Sequence, residues 1–240
     1  MRKNIIKAIF KKELASYFNS PIAYIFIAVF LVVSMWLFWQ DFFLLGQASM
    51  RGYLSLLPWI FLFLTPAITM RLWSEEKRAG TIETLLTLPV KDSEVVLGKF
   101  LSSLAFLMIN LLLSLILPIT IALLGSIDIG PIIGGYLGAL FLGAAYLALG
   151  LFISSLTRNQ IVSFLLAVVV SFIFFIIGSN MVVDNVGLGL AKIFSFVGLG
   201  AHFSNIAKGV LDSRDIIYYL GFIAFFLFLN IKSLSSRNWK

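Results

Sequence analysis

Ten of the chain's 29 charged residues fall between Arg71 and Lys99: the basic Arg71, Lys77, Arg78, Lys91 and Lys99, and the acidic Glu75, Glu76, Glu83, Asp92 and Glu94. They occupy a polar stretch, Ser74 to Lys99, between two long apolar runs in a protein that otherwise avoids charge. Balanced signs suit recognition by another protein better than by anionic lipid, which favours basic residues alone.

Other chemistries find no support in the sequence. Gly98-Lys99 is followed by Phe100 and has no glycine five positions earlier, so no phosphate-binding loop exists and ATP hydrolysis has to come from another chain. No carboxylate pair and no Ser/His/Asp set with supporting context occurs. With no cysteine and a single histidine, His202, disulfides, thiolate metal sites and histidine relays are excluded, and the catalytic, cofactor and metal sets are empty. His202 reads as a polar residue of a connecting loop. Asn110 reads as a helix-to-helix hydrogen bond.

The elements that position the charged stretch follow from composition. At 60% apolar and 12% charged residues, with a mean hydropathy of +1.04, the chain carries about half the usual share of charge. It is predicted to be an all-α integral membrane protein. A hydrocarbon core about 30 Å thick needs roughly 20 apolar residues of helix, and six segments serve: 22–41, 54–72, 95–124, 132–156, 161–179 and 216–232. Pro118 should kink the third. Tyr218 and Tyr219 read as interfacial anchors of the sixth. The first run lacks a small-residue cleavage site and reads as a retained span. Gly134, Gly138, Ala139 and Gly143 let the fourth span approach its neighbours closely.

Orientation follows from the basic residues, which are retained in the cytoplasm. Arg2, Lys3, Lys7, Lys11, Lys12, the five of the charged stretch, Arg158, Lys232, Arg237 and Lys240 share one side; Arg51, Lys192, Lys208 and Arg214 share the other. Both termini are therefore expected in the cytoplasm. The net charge of +7 has this topological explanation and does not call for nucleic acid. Residues 1–20 are expected to form an interfacial helix along the inner leaflet, with Lys3, Lys7 and Lys11 on one side and Ile6, Ile9, Phe10 and Tyr17 on another, with Glu13 and Leu14 off register, ended by Asn19-Ser20-Pro21. The glycine-broken outer loop, 180–215, is expected to form short helices dipping into the outer leaflet against protein.

Within the coupling loop, 74–94, Gly80 permits a turn. Thr81 can cap a short helix bearing Glu83 near its N-terminus and Ile82, Leu85, Leu86 and Leu88 on its apolar side, stopped by Pro89. Asp92 or Ser93 then caps the next helix. A helix of about two turns is unstable alone and has to dock on something.

The run Met70-Arg71, Glu75 to Arg78, Gly80 to Leu86, Pro89-Val90 and Glu94 to Lys99 resembles the loop after the second span of type-2 ABC export permeases. Leu57-Pro58-Trp59, Thr65-Pro66-Ala67, Lys12-Glu13-Leu14 and Ser20-Pro21 look most like the gliding-motility and copper-enzyme-maturation permease subgroup. The resemblance implies that Thr81 to Leu88 is a coupling helix seated in a groove of a separate ATPase, with Glu75, Glu76, Lys77, Arg78, Gly80, Thr81, Ile82, Glu83, Thr84, Leu85, Leu86 and Leu88 around the contact and the elbow helix (Lys3, Lys7, Lys11, Lys12, Glu13) beside it. It further implies a permease dimer, homomeric or with a related subunit, in the cell membrane and in contact with its lipid. Two ATPase copies would hold ATP and Mg, and no cofactor would sit in this chain. The activity implied is export of a substrate or, in the subgroup, work on an extracytoplasmic partner.

Overall fold

In the computed structural model, which describes residues 2–45, 49–81, 89–125, 127–210 and 212–236, the described residues form helices and no strands. The helices are α1 (Arg2–Phe18), α2 (Pro21–Leu45), α3 (Arg51–Ala79), α4 (Asp92–Ser114), α5 (Ile116–Leu124), α6 (Ile129–Leu156), α7 (Gln160–Ile176), α8 (Asn180–Val183), α9 (Leu188–Val197), α10 (Leu199–Ala207) and α11 (Ser213–Ser235). Five stretches are long and apolar enough to cross a membrane: α2, α3, α4 with α5, α6 and α11. The pair α9–α10, bent by 68°, raises the number to six.

The expected fifth span, 161–179, corresponds to α7, which at 17 residues is about 25 Å long and at the lower limit for crossing. Its missing height is filled by the α9–α10 bend. A Cβ on Gly178, just past α7, would lie 2.8 Å from the Gly198 Cα, and one on Gly200 would lie 2.7 Å from the Phe175 carbonyl oxygen. The backbones touch because both sides lack side chains. The short helices of the outer segment thus lean on protein, as their glycines require.

The centre of the molecule is α6, packed against α3, α4, α7, α10 and α11. Its glycines set those distances. A Cβ at Gly134 would lie 2.5 Å from the Ile206 carbonyl oxygen, one at Gly138 would press on Ile206, and one at Gly143 or Gly150 would overlap Leu107 or Thr69. The small-residue series therefore serves packing inside the subunit.

The third span breaks at Leu115, between α4 and α5, three residues before Pro118. The proline ring collides with the carbonyl four residues back and offers no N–H, so the ladder fails one turn upstream. Pro21 opens α2, where its missing N–H costs nothing. The cap of α4 is Lys91, one residue earlier than expected: its backbone N–H donates to Glu94 Oε2 at 3.0 Å, half of a capping box.

Candidate functional site

The second span does not end at the charged stretch. Helix α3 runs on to Ala79 and stops at Gly80, whose φ of 71° places it in the left-handed region that glycine tolerates. Residues 74–79 are therefore helix, and the loop proper is shorter than 74–94. Partners on α6 explain the extension. Ser154 Oγ receives the N–H groups of Trp73 and Ser74 at 3.2 and 3.3 Å and donates to the Met70 carbonyl at 3.0 Å. Lys77, only 7% exposed, donates its ammonium to the Ser155 carbonyl. Ser155 Oγ in turn bonds Ser233 Oγ on α11 at 3.1 Å.

Beside this, Lys99 of α4 is 1% exposed and ion-paired twice, to Glu13 of α1 at 3.0 Å and to Glu76 of α3 at 2.8 Å. Its ammonium also lies 5.0 Å from the Trp73 ring, a cation–π contact in a desolvated setting. Helix α1 packs along α4: Ile9 covers Gly98, and Tyr17 stacks on Phe106 at 5.1 Å. Burial pushes the Tyr17 phenol above its ordinary pKa, against the opposing pull of the Arg71 guanidinium, which lies 4.6 Å over its ring. A polar cavity of 250 Å³ remains between α1, α3 and α4, bordered by Lys12, Glu13, Arg71, Glu75, Glu76 and Lys99.

The predicted site residues thus divide. Glu75, Arg78, Gly80 and Thr81 are exposed, as are Lys7, Lys11 and Lys12. Thr81 Oγ1 points back to the Glu76 carbonyl at 3.4 Å. Glu13, Glu76, Lys77 and Lys99 turn inward and bind within the chain. Ile82, Glu83, Thr84, Leu85, Leu86 and Leu88, the body of the expected coupling helix, lie outside the described residues, as does the Lys3 side chain. Glu13 sits off the expected face of α1 because its partner is a buried lysine 86 residues away. A charge out of register in an otherwise patterned helix was the available signal.

Four further residues depart from expectation. Asn110 bonds its own helix, donating to the Phe106 carbonyl at 2.8 Å, and not another helix. His202 lies in the outer segment, as expected, but in helix α10 and paired with Asp215, not in a loop. Tyr219 is fully buried and Tyr218 half-buried, so both hold protein and do not act as interfacial anchors. Their hydroxyls donate to the carbonyls of Leu199, at 2.8 Å, and Val197.

Chemically, the junction of α1, α3 and α4 is a fastening. Its acids and bases neutralise one another, and among the described residues no three His, Cys, Asp or Glu side chains converge on a metal position. What it can do is hold the helices on either side of residues 82–88 in fixed relation to each other. No curated protein matches the chain. The family described as ABC-2 family transporter protein matches residues 7–195, which include most of α1, the fork of α3 and α4, and the helices through most of α9. A multi-pass helical membrane protein with this match over most of its length belongs to the ABC-2 transporter family, as a non-catalytic membrane component of an ATP-driven transporter.

Proposed function

We propose that this chain is a permease subunit whose residues 81–88 dock on a separate ATPase, two copies of which serve a permease dimer and hold the ATP and Mg. Closure of the ATPase pair would push the α3–α4 fork and rearrange the spans, exporting a substrate across the cell membrane, with both termini of this chain in the cytoplasm. The observation that carries the reading is the fork itself. The helices entering and leaving residues 82–88 are joined by the Glu76–Lys99 ion pair at 2.8 Å, so force applied between them moves both. Exposed Glu75, Arg78 and Thr81 surround the tip and are free to contact the partner.

A cavity of 440 Å³ between α2, α3 and α7, lined by Phe30, Trp59, Phe63 and Phe164 among others, has no charged side chain on its walls. It favours an amphipathic or lipid-like cargo. A second reading, work on an extracytoplasmic partner as in the gliding-motility-like subgroup, draws on the outer segment, where Met181, Leu190, Ile193, Phe196 and Val210 expose apolar surface.

The test is recovery of the ATPase from detergent with the affinity-tagged chain. Leu85→Asp and Arg78→Glu should each reduce it while the permease stays inserted, and a Gly/Ser segment in place of residues 81–88 should abolish coupling between hydrolysis and movement of the spans. Undiminished recovery with both point variants contradicts the docking assignment. For orientation, a cysteine at exposed Lys91 should react with an impermeant thiol reagent only after lysis, and one at exposed Ser213 in intact cells.

A further inference from the structure

The chain's one histidine sits where three packed elements meet. His202, in α10, has Nε2 2.9 Å from the carbonyl oxygen of Phe196 in α9 and Nδ1 2.5 Å from Oδ1 of Asp215 in the first turn of α11. Its ring stacks on Tyr218 at 3.9 Å with 19° between the planes. A carbonyl oxygen only accepts, so Nε2 has to carry hydrogen. An ionised carboxylate also only accepts, so Nδ1 carries the second. The face of the Tyr218 ring adds its attraction for a cation. With Asp215 ionised, all three contacts favour the imidazolium.

Loss of that proton would be costly here. Asp215 is 4% exposed, its Oδ2 has no hydrogen-bond partner, and among the described residues its only ion pair is with His202. Without the imidazolium it becomes a buried carboxylate lacking its cation, facing a ring nitrogen lone pair. Among the described residues, the other titratable groups around the ring are Tyr218 and Tyr219 of α11, with Tyr146 of α6 behind them. α9 presents the Phe196 carbonyl and ring, and α7 packs on the bend through Phe175 and Gly178. Among the described residues no other positive group pairs with Asp215.

We propose that His202 and Asp215 form a proton-binding latch: with the proton bound, the α9–α10 bend is fastened to the start of α11, and its loss lets the bend move away. The bend caps the short helix α7, so its release would open the chain at that end of the bundle. That the proton comes from outside the cell rests on the orientation proposed above; the latch itself does not.

A single histidine makes the test direct. The full chain, labelled with ¹⁵N-histidine and held in lipid nanodiscs, is titrated from about pH 5 to 9, a range that brackets ordinary imidazole titration. In parallel, spin labels on cysteines at Ser195 and Ser213, in a chain with no native cysteine, report the distance from α9 to α11. The expected result is two imidazolium-type ¹⁵N signals at the acid end, conversion to one protonated and one bare nitrogen as pH rises, and a longer, broader distance over the same interval. Asp215→Asn should show the neutral ring and the long distance at a pH where the wild type is still closed. His202→Gln should show a distance that does not change with pH. A neutral ring throughout, an imidazolium that persists to the alkaline end, or a distance unchanged through deprotonation overturns the proposal. Neither readout involves an ATPase or the side of the membrane, so failure here leaves the transporter reading standing, and the reverse.

Discussion

Two junctions fasten flanking helices to the bundle, and they use different basic side chains. At one, Lys99 ties α1 to α3 and α4 through Glu13 and Glu76. At the other, His202 with Asp215 ties the α9–α10 bend to α11. Lys99 is buried and His202 largely enclosed, both sit against an aromatic ring, and both join segments distant in sequence or direction. A lysine ammonium flanked by two carboxylates keeps its charge across ordinary pH, whereas an imidazole can lose it. Similar geometry thus yields a permanent fastening at the α3–α4 fork, where the proposed ATPase contact would apply force, and a conditional one at the bend.

The largest effect that can break this comparison is expected from Lys99→Met. It strands Glu13 and Glu76 together and should cost about 3–5 kcal/mol in a denaturation midpoint series, because removing one partner of a buried pair leaves uncompensated charge. Combining it with Glu13→Gln and Glu76→Gln should restore part of the loss. A cost near zero for the single variant would mean that the ions do not hold the fork.

Next in size is Gly198→Ala, whose new Cβ would run into the backbone of Gly178. Overpacking of this kind costs about 1–3 kcal/mol. Hydrogen exchange should report it as lost protection over Leu199–Ala207 while the α1 end is unaffected. Equal loss at both ends would show the junctions to be one cooperative unit.

Tyr219→Phe removes only the hydroxyl that donates to the Leu199 carbonyl at 2.8 Å, and about 1 kcal/mol of stability at the bend should go with it. It sharpens the comparison, because the imidazolium contacts remain and the pH dependence of the bend should survive. As the latch is proposed, the protection it gives the bend falls as the imidazole loses its proton, while protection of α1 stays flat over the same interval. Parallel pH curves at the two ends would erase the distinction.

The smallest effect on stability is expected from Arg78→Glu, an exposed change that should shift it by no more than about 0.5 kcal/mol. Its readout is ATPase recovery, which should fall. A large stability loss would place Arg78 within the fastening and not at its outer surface.

Much of this molecule was legible in the chain as written. Apolar run length and the scarcity of charge specify a helical membrane protein, since backbone groups in hydrocarbon have to bond within their own segment. Gly80, Pro21 and Pro118 mark a helix stop, a helix start and a break because their constraints are local. The motif around the dense charge between Arg71 and Lys99 led to the family that the chain matches over residues 7–195. Which of those charges face outward was decided only by the tertiary structure. Glu76, Lys77 and Lys99 look in sequence like Glu75 and Arg78, yet they meet Glu13, Ser155 and one another across distances that no local pattern encodes. The same holds for His202 and Asp215, which are 13 residues apart and become a pair because α10 packs back against the start of α11. Local stereochemistry sets where helices begin and end; the partner of a buried charge is set by how those helices pack.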